Sequence, residues 1–374
     1  MLSLVLLYAL DLECRAVRIP ESTHNQESGY TAIEVGLDGK VYIGTAFYGG
    51  SSHLVSYDPA TGKMADLVST HELFREAGTG INAQGKIHTK LWIDSLGRVW
   101  GGTKQGHEIF DTRPEYGEDP AGYPGGHLFC YDPRTQQAED RGILKKQEGL
   151  LGIALDKTRN MVYLVTDPKR HFLVYDIAKR TCRDLGVVGP ANPRYVALCE
   201  GGVLYCPGEP GVIVRYDPAK DCLEDLPLRQ EGTWKYVHPY AMAPSADGKK
   251  FYGVAIGHDR LMEYEPKGGE LIVRSPCRTI DDGWTAGDQH TMCLGTDGRI
   301  YWTCHASNGK ESGLFLLRYD PKAAKLQNLG KVVPEDRGFT VQHIQGSAFA
   351  KDGTLYVLHI SPFYLLVFDR LAGQ

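Results

Sequence analysis

The stretch TDGRIYWTCHASNGKESGLFLLRYDP, residues 296–321, decides the fold because it contains one full copy of a unit that recurs along the chain. An Asp-Gly turn leads into one strand-like segment, and a loop connects it to a second that ends in Tyr319-Asp320-Pro321. Strand-forming residues bounded by turn residues predict β-strands. Because proline presets φ and aspartate caps its own backbone, the Asp-Pro pair predicts a turn directly after the second strand.

This strand ending occurs seven times in the sequence, five times as Tyr-Asp and once each as Tyr-Glu and Phe-Asp. The copies are Tyr57-Asp58, Tyr131-Asp132, Tyr175-Asp176, Tyr216-Asp217, Tyr264-Glu265, Tyr319-Asp320 and Phe368-Asp369. Successive copies are 41 to 55 residues apart, except for 74 between the first and second. Repeats of this length with about four strands each are typical of propeller blades. We therefore predict an all-β fold, a seven-bladed β-propeller formed by residues 1–374 as a single domain.

The two ends of the chain are predicted to complete the last blade together. The seventh copy is followed only by residues 370–374, which leave no room for a fourth strand. The apolar segment LVLLYALDLECRAVRI, residues 4–19, can supply that strand and close the ring without an exposed sheet edge. It lacks the basic start and small-residue cleavage site of a signal peptide. We therefore expect a structural strand here. The sequence does not assign the protein to a cellular compartment.

Composition excludes several classes of function. The net charge is −5 with no long basic run, so we expect no nucleic-acid partner. No segment reaches 18 apolar residues, so we expect no membrane span. The nine cysteines form no CxxC pair, which favours free thiols over a disulfide framework or a zinc ribbon. We expect a monomer.

Propeller geometry predicts where a site must lie. The start of each first strand and the loop between the second and third strands meet at one mouth of the central channel. Most of the 13 histidines fall at these positions, namely His88, His107, His171, His238, His258, His290, His305, His343 and His359. This distribution predicts one polar site at the mouth.

Blade 2 contributes two of these histidines from a single hairpin. His88 begins its first strand and His107 follows its second, so the chain returns both to the same mouth. The largest insertion, residues 111–126, follows directly, and long loops in compact domains are often functional. Aromatic and basic residues at the same mouth are the predicted substrate contacts. These are Lys90, Lys104, Tyr116, Tyr123, Trp234, His238, Tyr240 and Arg260.

The residue types favour elimination over ordinary glycoside hydrolysis. Hydrolysis needs two carboxylates flanking the bond, and the mouth positions offer Glu209 and little else. β-Elimination needs a base for the proton α to a uronate carboxylate, with cations to stabilise the developing charge. Histidine and tyrosine suit the first role, and arginine, lysine and protonated histidine suit the second.

Three segments of blade 2 resemble a known group. IHTKL (residues 87–91), GTKQGH (102–107) and GYPGGHLFCYDP (122–133) are similar to seven-bladed propeller polysaccharide lyases. That group includes the ulvan lyases and rhamnose–glucuronate lyases, with related propeller rhamnosidases. The resemblance implies a lyase that cleaves an acidic poly- or oligosaccharide at glucuronate or iduronate, with rhamnose-linked uronates among the implied substrates.

The same resemblance implies the catalytic residues. Two histidines on a blade-2 hairpin correspond to His88 and His107, and an arginine of the next blade corresponds to Arg170. The family also uses a tyrosine in that blade, where this sequence has Leu151. We expect Tyr195 to substitute, with Tyr240 or a tyrosine of the insertion as alternatives.

A divalent metal is a separate hypothesis. His290, His305, His343 and His359 come from blades 6 and 7 and could hold Zn²⁺ or Mn²⁺ together with Gln289 or Gln345. This set resembles the use of His and Gln around a metal in oligogalacturonate lyases. A Ca²⁺ site of acidic and amide ligands is a further possibility.

Two alternatives to the lyase stay open. One is a hydrolase of the same superfamily that releases rhamnose linked to glucuronate. The other is a non-catalytic propeller that binds a glycan or a protein, which the leucine at position 151 favours. Fold alone separates none of these, because propellers have many functions.

Overall fold

The structure is a computed structural model that describes residues 11–25, 27–76, 82–106, 123–189, 194–280 and 283–373, without the side chains of residues 27–29. The described chain is all-β. Its only α-helix in these ranges is α1 (Thr70–Phe74), and three short 3₁₀ turns span Glu21–Thr23, Glu200–Gly202 and Leu371–Gly373.

The strands follow one another with short connections. In chain order they are β1 (Asp11–Arg18), β2 (Glu27–Val35), β3 (Val41–Ala46), β4 (His53–Asp58), β5 (Lys63–Ser69), β6 (Lys86–Ile87), β7 (Trp92–Ile93), β8 (Val99–Lys104), β9 (His127–Asp132), β10 (Gln137–Ile143), β11 (Gly149–Asp156), β12 (Met161–Asp167), β13 (His171–Asp176), β14 (Thr181–Val187), β15 (Ala197–Leu198), β16 (Leu204–Pro207), β17 (Val212–Asp217), β18 (Cys222–Gln230), β19 (Ala241–Pro244), β20 (Phe251–Val254), β21 (Arg260–Lys267), β22 (Glu270–Arg278), β23 (Thr285–Leu294), β24 (Ile300–Ser307), β25 (Ser312–Asp320), β26 (Lys325–Pro334), β27 (Ile344–Phe349), β28 (Leu355–His359) and β29 (Tyr364–Phe368).

Consecutive strands pair antiparallel in groups of four, as in β11–β14 and β23–β26. The Tyr-Asp sequences end the third strand of these groups, and the aspartate caps the turn that follows. Oδ1 of Asp58 accepts a hydrogen bond from the amide of Ala60 at 2.9 Å, and Asp320 accepts one from Lys322 at 2.9 Å. The tyrosines are buried between groups. Both residues of the Tyr-Asp repeat therefore have a structural role, the tyrosine in packing between groups and the aspartate in capping the turn.

The described strands form four sheets rather than one sheet per repeat. The reason is that strands of neighbouring groups also pair with each other. β18 pairs with β22 and β1 pairs with β26, both in parallel, and a single Ala46–Lys86 pair joins β3 to β6. These links merge adjacent groups into larger sheets of 8 or 9 strands, while β11–β14 stay separate.

The predicted pairing of the chain ends is present. β1 pairs antiparallel with β29, with Arg15 opposite Val367 and Arg18 opposite Tyr364. The described part of the predicted segment begins at Asp11, so residues 4–10 lie outside the described residues. The next strand in sequence, β2, belongs to the first group, so β1 is the outer strand of the last group, β27–β29.

First strands of successive groups contact each other around an axis. The contacts run from β2 through β7, β11, β15, β19, β23 and β27, and β27 contacts β2 again. The apolar core is divided in the same way, into clusters that lie between adjacent groups. Residues at the starts of the first strands are thereby brought to one end of the axis.

A polar set of three residues repeats in the first three groups. A threonine near the end of the second strand accepts the backbone N–H of a histidine that begins the third strand, at 2.8 to 2.9 Å. Nδ1 of that histidine lies 2.9 to 3.0 Å from an aspartate 13 residues later on the fourth strand. These Thr–His–Asp sets are Thr45–His53–Asp66, Thr103–His127–Asp140 and Thr166–His171–Asp184.

All nine cysteines are free thiols, as predicted. Of the helices within the described ranges, none combines the length and the hydrophobicity that crossing a bilayer requires.

Candidate functional site

Arg194, just before β15, occupies the axis where the first strands begin. Its Nη1 donates hydrogen bonds to the hydroxyl of Tyr240 at 2.7 Å and to Oε1 of Gln345 at 2.8 Å. The guanidinium carbon also lies 5.0 Å from the ring centroid of Tyr30. Together with His88, these residues form the central cluster. Arg194 thus joins its own group of strands to three others, and it is not among the residues that the sequence predicts for the site.

His88 lies beside this arginine with an available ring nitrogen. Its ring centroid is 4.6 Å from that of Tyr30, and the residue is only 2% exposed. Within the described residues, Nδ1 has no hydrogen-bond partner. Burial, followed by the positive charges of Arg194 and Lys104, holds the pKa of His88 well below its usual value. The imidazole is therefore neutral at pH 7 and can accept a proton.

Two tyrosine hydroxyls next to His88 are linked to a lysine. The Tyr30 and Tyr48 hydroxyls are 2.8 Å apart, and Nζ of Lys86 donates to Tyr48 at 2.6 Å. Tyr30 has φ +65°, a left-handed conformation that is strained for an aromatic residue. The fold therefore holds Tyr30 against His88 and Arg194 despite a backbone cost, which is common at functional sites.

Lys104 and Arg170 add two more cations, and both pair with Asp167. Burial, then the charges of Arg194 and Arg170, lowers the pKa of Lys104 to about 7. The ion pair with Asp167 acts in the opposite direction, because a nearby carboxylate favours the charged ammonium group. Arg170 also has a left-handed backbone, with φ +65°. The structure thus brings His88, Lys104 and Arg170 into one cationic region around Arg194.

Tyr240 and Tyr195 have different environments. The Tyr240 ring packs edge-on against His290, with centroids 4.7 Å apart, and its hydroxyl accepts from Arg194. The Tyr195 hydroxyl donates to the backbone carbonyl of Gln345, and burial raises its pKa above the usual value. The Tyr195 hydroxyl is thus engaged with the backbone, whereas the hydroxyls of Tyr30 and Tyr240 bond to side chains.

Two predicted substrate contacts lie away from the mouth. Tyr123 is 2% exposed and donates to Oε1 of Gln84 at 2.8 Å, so it packs within the fold instead of facing a ligand. Lys90 points into the axial channel, where Nζ is 3.5 Å from Oε2 of Glu34. Tyr123 is thus a packing residue, whereas Lys90 faces the channel.

Three further predicted contacts lie around the β18–β19 connection and the start of β21. The Trp234 ring is 6.4 Å from that of Tyr236, and its Nε1 donates to a backbone carbonyl. Nε2 of His238 accepts the amide of Gly211 at 3.1 Å. Arg260 lies 4.0 Å from the Asp259 carboxylate. None of the three has a described contact with the central cluster. His107 and Tyr116 lie outside the described residues.

The four-histidine metal set is not assembled as predicted. Asp288 lies between two of its members, with Oδ2 3.8 Å from Nε2 of His290 and 3.7 Å from Nδ1 of His343. The nearby histidines, His290 foremost, lower the pKa of Asp288. Within the described ranges, no three His, Cys, Asp or Glu residues are arranged to hold a metal ion.

His359 is the clearest departure from that set. Its Nδ1 lies 2.7 Å from the carbonyl of Pro362, and its Nε2 accepts the amide of Gln342 at 3.3 Å. Both ring nitrogens are thereby used by the backbone, and burial lowers the pKa to about 4. His359 is a structural histidine that fixes a loop, while His305 lies on β24 near Gly287.

Solved structures similar to this chain are β-propellers. A streptogramin B lyase matches with a TM-score of 0.62 and 14% identity, covering 95% of this chain and 96% of that one. Catalytically inactive virginiamycin B lyase from Staphylococcus aureus with quinupristin matches with a TM-score of 0.63 and 11% identity, covering 95% and 98%. The WD40 repeats of RRP9 match with a TM-score of 0.59 and 11% identity, covering 95% and 97%.

These likenesses establish the fold alone. The chain is a β-propeller, and propellers at this similarity include both lyases and WD40 repeats. No family model matches the chain, and no curated protein matches it.

Proposed function

We propose that the protein is a carbon–oxygen lyase that cleaves an acidic saccharide at a uronic acid by β-elimination. The observation that carries the proposal is the pairing of a neutral, buried His88 with the cationic Arg194 in one cluster. A base and a carboxylate-binding cation at the same place are the two groups that this reaction requires.

The substrate carboxylate would bind among the cations. The positive charges of Arg194 and Arg170 lie close enough to Lys104 to lower its pKa, whereas the carboxylate of Asp167 pairs with both Lys104 and Arg170. A second carboxylate brought by the substrate would relieve this repulsion. The same substrate carboxylate would carry the enolate-like charge that forms when the α proton leaves.

The proton transfers can be assigned to neighbouring side chains. His88 accepts the proton from the carbon α to the carboxylate. The electron pair of the broken carbon–hydrogen bond then forms the new carbon–carbon double bond. The bond from the β carbon to the glycosidic oxygen breaks, and that oxygen takes a proton from Tyr30. Lys86 and Tyr48, which are linked to the Tyr30 hydroxyl, can restore this proton. Tyr240 is the alternative donor because it too contacts Arg194.

We also propose seven blades in one domain over residues 1–374. Three observations support this count: the seven copies of the aromatic–acidic strand ending, the closed run of contacts among the first strands, and the pairing of β1 with β29. The four sheets are compatible with it, because pairing between outer strands joins adjacent blades.

A panel of uronate polysaccharides tests the activity. Each polymer is incubated with the protein while the ultraviolet absorbance of an unsaturated uronate is followed. We expect absorbance to rise with at least one polymer and His88→Gln to abolish the rise. His71→Gln, a histidine in α1 outside the central cluster, is the matched control and should keep the activity.

Other outcomes of the panel are decisive as well. Free rhamnose without an unsaturated product would replace the lyase with a hydrolase. Saturable binding with no product from any polymer would replace it with a non-catalytic glycan-binding propeller. Either result would overturn the proposed elimination.

A further inference from the structure

A cavity of about 370 Å³ runs along the axis next to the central cluster. At one end it is lined by Arg194, which precedes β15. At the other it is lined by Gly295 and Phe349, at the far ends of β23 and β27. It therefore follows the length of the first strands, away from the mouth where His88 lies. Its volume is within the range of small-molecule pockets.

The wall of this cavity is divided into two kinds of surface. One side is apolar and comes from first strands of the middle of the chain, with Leu198, Met242 and Met292. Both methionines line the cavity while they pack into the apolar clusters behind it, and they are 4% and 5% exposed. Methionine adapts its shape to irregular apolar ligands. The other side is polar and carries Glu34 and Lys90.

The charged groups of the lining do not cancel. Arg194 and Lys90 contribute two positive charges and Glu34 one negative charge, which leaves a net charge of +1. The Lys90 and Glu34 side chains are 35% and 22% exposed and 3.5 Å apart, so their pairing leaves hydrogen-bonding capacity directed to the cavity. An enclosed excess of one positive charge is complementary to a monoanion.

We infer that the axial cavity binds a small amphipathic monocarboxylate, with its acid group at Lys90 and Arg194 and its hydrocarbon body against Met242 and Met292. The saccharide proposed for the mouth has no apolar body, so this is a second ligand class at a second place. The two sites share Arg194. Lys90 and Met292 have no described contact with His88, so they can test the cavity separately.

Octanoate is a suitable probe, and octanamide is its uncharged counterpart of the same length. Isothermal titration calorimetry should detect octanoate binding, with octanamide weaker by about tenfold because it lacks the charge. Lys90→Gln should remove this difference by weakening octanoate about tenfold while leaving octanamide unchanged. Met292→Trp, which fills the cavity, should weaken both ligands.

Met161→Phe on β12 is the matched control for a larger side chain, since Met161 does not line the cavity, and it should bind octanoate as the original protein does. Should Met292→Trp fail to fold, the Lys90→Gln comparison decides alone. Absence of octanoate heat, equal affinity for octanamide, or unchanged binding by Lys90→Gln would each overturn the inference. None of these results depends on uronate turnover, so failure of the cavity and failure of the lyase are distinguishable.

Discussion

His88 owes its proposed role to its electrical surroundings as much as to its position. It is buried in a region where Arg194, Lys104 and Lys86 are positive, and both burial and these charges disfavour the imidazolium form. A histidine that stays neutral can act as a base at neutral pH. Nδ1 is the ring atom that we expect to face the substrate, because within the described residues no other group bonds to it.

Replacing Arg194 tests this electrostatic account at the residue scale. We expect Arg194→Gln to raise the pKa of His88, because it removes the positive charge that lowers this pKa most while it keeps a polar side chain. The imidazole titration can be followed by NMR. Arg183→Gln, which removes an exposed arginine paired with Asp221, is the control and should leave His88 unchanged. An unaltered His88 titration in Arg194→Gln would contradict the account.

Lys104 should make anion binding depend on pH. Its pKa is lowered to about 7, so it is largely protonated at pH 6 and largely neutral at pH 8. Loss of this charge as the pH rises should weaken glucuronate binding several-fold, about five- to tenfold. Lys104→Arg stays charged over this range and should remove the decrease. Equal pH dependence in both proteins, measured by calorimetry, would show that Lys104 does not contribute.

At this scale the sequence predicted residue types better than individual residues. His88, Lys104 and Arg170 were predicted and are brought together, whereas Arg194 was missed in favour of its neighbour Tyr195. Both precede β15, where the alternation of side chains that assigns a face has not yet begun. Only the backbone coordinates decide which of the two adjacent side chains reaches the axis.

At the scale of the strands, the Thr–His–Asp sets link the second, third and fourth strands of a group. In the second group, Nδ1 of His127 lies 2.9 Å from Asp140 and Nε2 lies 2.9 Å from Glu76, while its ring stacks on Phe74 at 4.0 Å. The histidine thus joins the connection after β5 to the outer strand β10. Although burial alone would lower its pKa, the hydrogen bonds to the two carboxylates raise it.

His127→Gln should therefore destabilise the fold in a pH-dependent manner. Because the folded pKa is raised, the stabilisation is fully present below the unfolded value near 6.5 and is lost as the pH rises through the folded pKa. We expect a loss of about 2 kcal/mol at pH 6 and a smaller loss at pH 9. Denaturant unfolding at both pH values measures this.

His53→Gln is the matched control, because its histidine has one described carboxylate partner, Asp66, in place of two. It should cost less than His127→Gln at pH 6. A loss from His127→Gln that is equal at the two pH values would argue that the ring stabilises by packing on Phe74 alone.

The Thr–His–Asp sets have a signature in the sequence, which is the fixed spacing of their histidines. His53, His127 and His171 each lie four residues before a Tyr-Asp ending, and each is followed 13 residues later by an aspartate. His171 was instead assigned to the mouth because the loop before it begins there. Histidines with a fixed place in the repeat are better explained by the repeat than by a site.

For the whole molecule, the repeat predicted the all-β propeller and the pairing of the chain ends, because both follow from periodicity and from the need to cover sheet edges. The metal set could not be predicted in this way. His290 and His343 do approach one carboxylate, but His359 bonds to its own loop, a contact set by the turn at residues 360–363 and not by the repeat.

Removing β1 tests the closure of the ring. A chain truncated before Ile19 loses the pairing of Arg15–Arg18 with β29 and of Asp11–Cys14 with β26. We expect a loss of stability on the order of 5 kcal/mol, at about 1 kcal/mol for each hydrogen bond, seen as a lower melting temperature. Glu13→Ala, an exposed position on the same strand, should change it little. Unchanged melting after truncation would mean that β1 does not close the ring.

The measurement that tests the central claim most directly is the mass of the products formed from a uronate oligosaccharide of defined length. Elimination at the central cluster predicts two fragments whose masses sum to that of the substrate, and no fragments with Arg194→Gln or His88→Gln. Fragments that together carry one added water would contradict elimination. Unsaturated fragments that persist undiminished in both variants would contradict the assignment of the site.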